Sequence, residues 1–442
     1  VSLCGIAVPF YFEDVAAQSH VCYPNFINFF PGDRQMMKRI LSIIIISSTL
    51  LLSGCNSQDA ATTAEVQQNT EIQQNSEVPQ ETQSQLLETA ESPESSEPTV
   101  SLVMVGDILL HTQVAESGLQ EDGSYNFDAI FANMTEEIAA ADLALVNQEV
   151  IIGGTELGIS GYPSFNAPYE LGDALVDAGF NVALHATNHA LDKGKKGINN
   201  CISYWEENHP EMAVLGIHQS QEAQDAIYVY EQNGIRIAVL NYTYGTNGIS
   251  LPSDMPYAVD LLEKDKVIAD IAAAKEQADF VIVCPHWGTE YNLATDSSQE
   301  KWTQIFLENG VDLVIGTHPH VIEPIEWVSD DAGNEMLVYD SLGNFVNWTS
   351  GTGDGVANRM VGGMAELTIA MDENGEAFIQ DYGVEAVVCH LTEGTNGVTV
   401  YPLSEYTDEL AEENAIVAQD GNFSREYCVQ LCDDVWGEGM WH

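Results

Sequence analysis

Hydrophobic and polar positions divide the chain into three stretches of different character. Residues 40–53 form one short apolar run that is neither alternating nor helically periodic in a useful way. Residues 56–98 have no aromatic residue and no glycine, and are rich in Gln, Glu, Ser and Thr, so they cannot bury a core. From Val100 onward the pattern becomes that of a folded protein. Short apolar runs of the kind that make buried strands end abruptly in polar residues: SLVMVGD, LALVN at 143–147, NVALHATNH, FVIVCPHWG and VDLVIGTHPH. Between them the spacing predicts helices over 127–141, 167–179, 194–208, 260–278 and 297–310. Residues 226–231 and 235–242 flank Gln-Asn-Gly, a hairpin signal. Beyond about residue 335 strands dominate, with MLVYDSLGNFV followed by a pair of strands joined at Asp-Glu-Asn-Gly. Alternating strands and helices whose strands are apolar on both faces imply a layered α/β domain, in which ligands bind beyond the carboxyl ends of the strands.

Those carboxyl ends carry the candidate chemistry. The first run ends in Asp107, with His111 shortly after, and the second in Asn147 and Glu149. The third ends in His185, Asn188, His189 and Asp192, the fourth in His286 with Glu290 beyond it, and the fifth in His318 and His320. Five of the eleven histidines, His111, His189, His286, His318 and His320, fall among these candidate site residues, too many to assign to packing, while His185 reads equally as a structural residue. Imidazole mixed with carboxylate suits Zn, Mn or Fe, and two such ions can share a carboxylate and clamp a phosphoryl group. A histidine beside that centre, oriented by a nearby carboxylate, can protonate a leaving oxygen. Trp287, Tyr291 and Trp302 read as packing residues. The loops at 153–166 and 243–258 are polar and carry no readable specificity.

Charge narrows the range of partners. The formal net charge is -55, from 13 Lys+Arg against 68 Asp+Glu, which excludes a nucleic-acid binder working through a basic surface. Such a field repels anions at long range, so an anionic ligand has to be captured by metals and a few local bases, and more slowly at low salt. Lys193, Lys195 and Lys196 are the one dense basic cluster. The eight cysteines contain no CxxC pair, which argues against a thiolate zinc site, while Cys428 and Cys432 are spaced to permit a disulfide.

The N-terminal part reads as a targeting segment. Met36-Met37-Lys38-Arg39, the apolar run and Leu52-Ser53-Gly54-Cys55 resemble a bacterial lipoprotein signal peptide over residues 36–55, with Cys55 as the lipidated residue. Residues 1–35 then read as an over-extended frame outside the fold, and 56–98 as an acidic tether. The expected result is an extracytoplasmic domain on a lipid anchor in the cell membrane, with residues 401–442 as an extension or a completion of the fold.

Six segments in order, GDILLH (106–111), NQE (147–149), TNHALDKG (187–194), HWGTEY (286–291), GTHPHV (316–321) and YDSLGNFV (339–346), resemble the bacterial CapA family associated with poly-γ-glutamate capsule synthesis. That family is similar to the calcineurin-like metallophosphatases, which implies a four-layer α/β/β/α sandwich over about residues 99–400 with a two-metal site. Carried over by position, the resemblance implies that Asp107 binds one metal, Glu149 bridges, and Asn188 and His286 bind the second. His318 and His320 divide between the two, and His189 is the acid, backed by Asp192. His111 is a further candidate metal ligand, and Asn147 and Glu290 belong to the same neighbourhood. The opening reads Asp-x3-His where the phosphatases have Asp-x-His, and Glu149 stands where they use Asp. The resemblance also implies an anionic polymer as partner and membrane synthase subunits beside it. Two other functions fit the same residues: a stand-alone phosphoesterase acting on a phosphate ester, and a polymer-binding assembly subunit without activity.

Overall fold

The structure, a computed structural model, describes residues 98–392 and 397–442. The signal-like segment, Cys55 and the acidic tether lie outside the described residues. Among the described residues, fourteen strands form two sheets. The first sheet contains β1 (Thr99–Ile108), β2 (Leu143–Asn147), β3 (Val182–Leu184) and β4 (Ala213–Leu215), all parallel. The second contains β5 (Tyr228–Gln232), β6 (Ile235–Thr243), β7 (Phe280–His286), β8 (Leu313–Ile315), β9 (Ile325–Ser329) and β10 (Glu335–Tyr339), in the order β5-β6-β7-β8-β10-β9. The chain then returns to the first sheet through β11 (Asn344–Val346), β12 (Val361–Met371), β13 (Ala377–Leu391) and β14 (Val398–Pro402).

The second sheet shows why four layers form. Along β6 and β7 side chains alternate with period two, as strand geometry requires. Ile237, Val239, Phe280, Ile282 and Cys284 enter the large core shared with the first sheet. Ala238, Leu240, Val281 and Val283 turn the other way, onto Val267 and Ile271 of the helix Lys264–Gln277 and Phe306 of the helix Ser297–Glu308. Across the gap between sheets, Cys284 Sγ lies 3.8 Å from Met104 Sδ of β1. Helices Glu170–Asp177 and Gly194–Asn208 supply Leu171, Leu175, Ile198 and Trp205 to the large core on the first-sheet side. The order is helix, sheet, sheet, helix, the sandwich that the family resemblance implies.

Several elements differ from the sequence reading. The stretch 127–141 is two short helices, Asp128–Phe131 and Thr135–Ala140, broken at 132–134, where Met134 has φ -116° and Asn133 Nδ2 donates to the Val400 carbonyl of β14. The helix expected from 260 begins at Lys264, since Asp260 and Leu261 still bridge to Thr243 as extended chain. Residues 401–442 complete the fold. Strand β14 pairs with β13, and the helix Arg425–Val435 buries Cys428, Leu431 and Cys432 in the large core. Cys428 and Cys432 are free thiols, which corrects the disulfide reading. They stand one turn apart on the same buried helix face, where burial pushes the Cys428 thiol up to about 12.

Two segments of the first sheet meet at Gly106. A Cβ there would lie 2.0 Å from the Gly343 carbonyl oxygen, which accepts the Asp107 amide at 2.9 Å. This close approach seats Asp107 and joins β1 to β11. Gly106→Ala is expected to destabilise the protein by about 3 kcal/mol or more, read as the urea midpoint, because backbone and not a mobile side chain must yield.

A second buried feature makes stability depend on pH. The helix Ser297–Glu308 opens with a capping box between Asp296 and Gln299, and Gln299 Nε2 also donates to Glu323 Oε2 at 2.5 Å. Glu323 is fully buried, its other oxygen has no partner, and burial raises its carboxyl to about 8. Burial likewise raises Asp340 to about 7 and Asp312 to about 6. The folded state holds these protons more tightly than the unfolded chain, so stability falls as pH rises from about 5 to about 8. The thermal midpoint is expected to drop across that interval, and Glu323→Gln to flatten the drop.

Candidate metal centre

The strand ends converge between the sheets. Asp107 sits at the end of β1, Asn147 and Glu149 at and beyond the end of β2, and His286 at the end of β7, all fully buried. Strand β3 is only three residues long, and its exit loop delivers Asn188 and His189. His318 and His320 follow β8, which stops at Ile315. They do not face the site as alternate residues of a strand. His318 has φ 102° and His320 φ 59°, left-handed backbone on both sides of Pro319. Such geometry costs about 1–3 kcal/mol per residue and persists where surrounding structure imposes it, commonly at functional sites.

Two groups of side chains form within this centre and share one member. Asp107, Glu149 and His320 bring one ligand atom each within 4.8 Å of one another, and so do Glu149, His286 and His318. Glu149 Oε1 lies 3.7 Å from His320 Nε2 and 3.8 Å from His286 Nε2. Around them, Asn147 Nδ2 donates to Asp107 Oδ1 at 2.8 Å, and Asn188 Oδ1 lies 3.1 Å from His286 Nε2. His320 Nδ1 lies 3.0 Å from Asp107 Oδ2 and 3.1 Å from Asn344 Oδ1, while His286 Nδ1 meets Thr317 Oγ1 at 3.0 Å.

Charge is poorly balanced without a cation. Both Glu149 carboxylate oxygens and His318 Nδ1 are buried and have no hydrogen-bond partner. Burial drives the Glu149 carboxyl well above its usual range. Burial, then the neighbouring imidazoles, hold His286 and His318 well below theirs. For His320 burial opposes the charge, but Glu149 and Asp107 outweigh it and raise the imidazole to about 9. Orphaned carboxylate oxygens facing neutral imidazoles are the donor set that divalent cations complete. The residues present therefore fit a metal centre.

Beside it, His189 Nε2 lies 4.0 Å from Glu149 Oε1 and Nδ1 lies 2.7 Å from Asp192 Oδ2. Asp192 also accepts the Phe165 amide at 2.7 Å, and the Phe165 ring meets His189 edge-on at 4.6 Å. The imidazole is thus held by Asp192 and Phe165.

A sequence profile described as "Bacterial capsule synthesis protein PGA_cap" matches residues 101–349. The chain belongs to this family. It is 29% identical over 279 residues to the PGA biosynthesis protein CapA of Bacillus subtilis (strain 168), an alignment covering 59% of this chain and 68% of that protein. It is 28% identical over 262 residues to the capsule biosynthesis protein CapA of Bacillus anthracis, covering 57% and 61%. Among solved structures, the Haemophilus influenzae NAD nucleotidase overlaps 78% of this chain and 63% of its own at 12% identity and a TM-score of 0.42. A purple acid phosphatase from yellow lupin seeds overlaps 70% and 53% at 10% identity and a TM-score of 0.27. With scores this low, the layer order rests on the strand pairing itself.

Within the PGA_cap segment the structure sorts the candidates. Asp107, Glu149, His286, His318 and His320 meet in the two triads, with Asn147 and Asn188 touching them. His111 stands outside the triads. It packs against Phe165 and Trp348 in the wall of a cavity of about 480 Å³ that opens from the centre, and burial lowers its imidazole to about 4. Glu290 is exposed on the same cavity. His185 is structural: Trp205 Nε1 donates to its Nε2 at 3.1 Å, and burial lowers it to about 3. The lysine cluster does not reach the cavity. Lys193 Nζ donates to the Ser164 carbonyl, and Lys195 pairs with Asp254 at 2.7 Å on the surface. Tyr291, read from sequence as packing, is 47% exposed and lines the cavity. Sequence reasoning also missed Thr317, Asn344 and Arg359. The first two lie in the quoted motifs GTHPHV and YDSLGNFV, and Arg359 lies just beyond the PGA_cap match with no motif to flag it.

Proposed function

We propose that this PGA_cap protein is a metal-dependent hydrolase acting outside the cytoplasm, on a lipid anchor, in the synthesis, export or anchoring of poly-γ-glutamate. The observation that carries the hydrolase reading is Glu149, a fully buried carboxylate with two orphaned oxygens standing between two ligand triads. The likeness to the PGA biosynthesis protein of Bacillus subtilis supports the polymer, and the segment ending in Leu52-Ser53-Gly54-Cys55 supports the anchor.

Asp107, Glu149 and His320 would hold one ion, and Glu149, His286 and His318 the other, with Asn188 adjacent. Mn, Zn or Fe there supplies Lewis acidity and countercharge for a developing oxyanion. The remaining work falls to the chain. Asp192 holds the Nδ1 proton of His189, which fixes the tautomer and leaves Nε2 facing the centre. Protonated at Nε2, His189 donates to the departing oxygen or nitrogen. Phe165 keeps the ring in place and excludes water from its face.

Metal analysis of the purified chain, followed by assays on phosphomonoesters, phosphodiesters and γ-linked glutamate oligomers, tests the proposal. About two ions per chain and metal-dependent cleavage of the oligomers are expected. Cleavage of phosphate esters alone would make it a stand-alone phosphoesterase, and a chain that holds no Mn, Zn or Fe would overturn both enzymatic readings in favour of an assembly subunit.

A further inference from the structure

The cavity beside the metal centre contains one cation that no carboxylate neutralises. Arg359 is the single Lys or Arg among its lining residues. Among the other described Lys and Arg residues, Lys195 pairs with Asp254, Arg236 with Asp279 and Lys266 with Asp270, while the rest form no ion pair. Arg359 forms no ion pair among the described residues. Its side chain is nevertheless fixed. The guanidinium carbon lies 3.5 Å above the centre of the Tyr291 ring, and one terminal nitrogen donates to Thr349 Oγ1 at 2.9 Å. Its Nε is buried with no partner. Tyr291 adopts φ 64°, and its ring centre lies 6.0 Å from that of His320. Left-handed backbone at a tyrosine is costly, and here it carries the ring that supports the guanidinium beside a member of the metal centre.

We propose that Arg359 is the anchor for an oxyanion of the substrate, a carboxylate or a phosphate that is distinct from the group undergoing reaction. The inference rests on the reading of the neighbouring centre as the reacting site. An immobilised guanidinium that lines the cavity and keeps N–H groups without a partner is suited to a planar or tetrahedral oxyanion, and its ordering is already established before the ligand arrives. The surrounding acidity makes this selective. General anion capture is suppressed by the field of the whole chain, so an anion gains affinity here through contact at this one fork. Poly-γ-glutamate fits the arrangement because each residue carries a free carboxylate close to the backbone amide.

Titration calorimetry on the full chain with glutarate, a γ-linked glutamate trimer and inorganic phosphate tests the anchor, with and without Mn. Arg359→Gln is expected to weaken binding of the trimer about 10- to 100-fold, with Mn stoichiometry unchanged. Arg359→Lys, which keeps the charge and loses the fork, is expected to restore only part of it. A loss confined to glutarate and the trimer assigns a carboxylate anchor, and an equal loss for phosphate assigns a general oxyanion anchor. Should Arg359→Gln fail to fold, Thr349→Val and Tyr291→Ala remove the clamp and the stack while keeping the cation, and each is expected to weaken binding measurably. Affinities within twofold of the unmodified chain for all probes overturn the proposal, as does the absence of binding to any of them. A chain that binds through Arg359 but hydrolyses nothing retains the anchor and loses the hydrolase reading. A chain that hydrolyses with unchanged affinity in Arg359→Gln does the reverse.

Discussion

Glu149→Gln is expected to weaken Mn binding by at least about 100-fold and to lower any hydrolytic rate by about 10³-fold. The size of the effect follows from position. Glu149 belongs to both ligand triads, so one substitution removes the shared anion from each, whereas Asp107→Asn or His286→Ala would disturb one triad directly. The same variant makes an opposite prediction about stability. In metal-free protein the buried carboxyl resists ionisation, because burial raises its pKa. Its ionised form therefore costs stability as pH rises above the ordinary carboxylate range, and an uncharged amide of the same shape removes that cost. Metal-free Glu149→Gln is expected to melt above the unmodified chain at pH 8, and below it when both are supplied with Mn. Calorimetric scans with and without Mn check both signs. A variant that binds Mn normally would remove Glu149 from the centre.

His189→Ala is expected to slow hydrolysis by about 10²–10⁴-fold on substrates with a poor leaving group while leaving the metal content intact. His189 Nε2 is 4.0 Å from Glu149 Oε1, outside both triads, and its Nδ1 is committed to Asp192. A group so placed contributes by moving a proton. Its loss matters most where the leaving atom needs that proton, so p-nitrophenyl substrates, whose leaving group is stable as an anion, should lose far less. Asp192→Asn keeps the ring and disturbs the tautomer, with an expected loss of about 10- to 100-fold. Loss of ions from His189→Ala would instead assign it to the centre as a ligand. The comparison of leaving groups, alongside metal analysis of the same preparations, separates these outcomes.

Much of this was legible along the chain. The apolar runs that end in Gly106-Asp107, Asn147, His286 and the Thr-His-Pro-His segment mark the strands and put metal-capable side chains at one end of them. Boundaries were less legible where a side chain from elsewhere intervenes. Asn133, in the break between two short helices, bonds to Val400, a residue far along the sequence. Cys428 and Cys432 are spaced for a disulfide, yet their helix turns both into an apolar core.

The site divides along the same line. Which residue types gather at the strand ends, and hence the class of chemistry, is a local property: strand period and chain polarity place those groups together whatever their final distances. Tertiary structure alone decided that Glu149 belongs to two triads at once and that His111 belongs to neither. It alone decided that His318 and His320 reach the centre through left-handed backbone, and that Arg359, not the conspicuous lysines, is the basic side chain that lines the cavity unpaired. Those outcomes depend on how two sheets pack and on where return loops cross the strand ends. Such contacts join residues that are distant in sequence, and no periodicity encodes them.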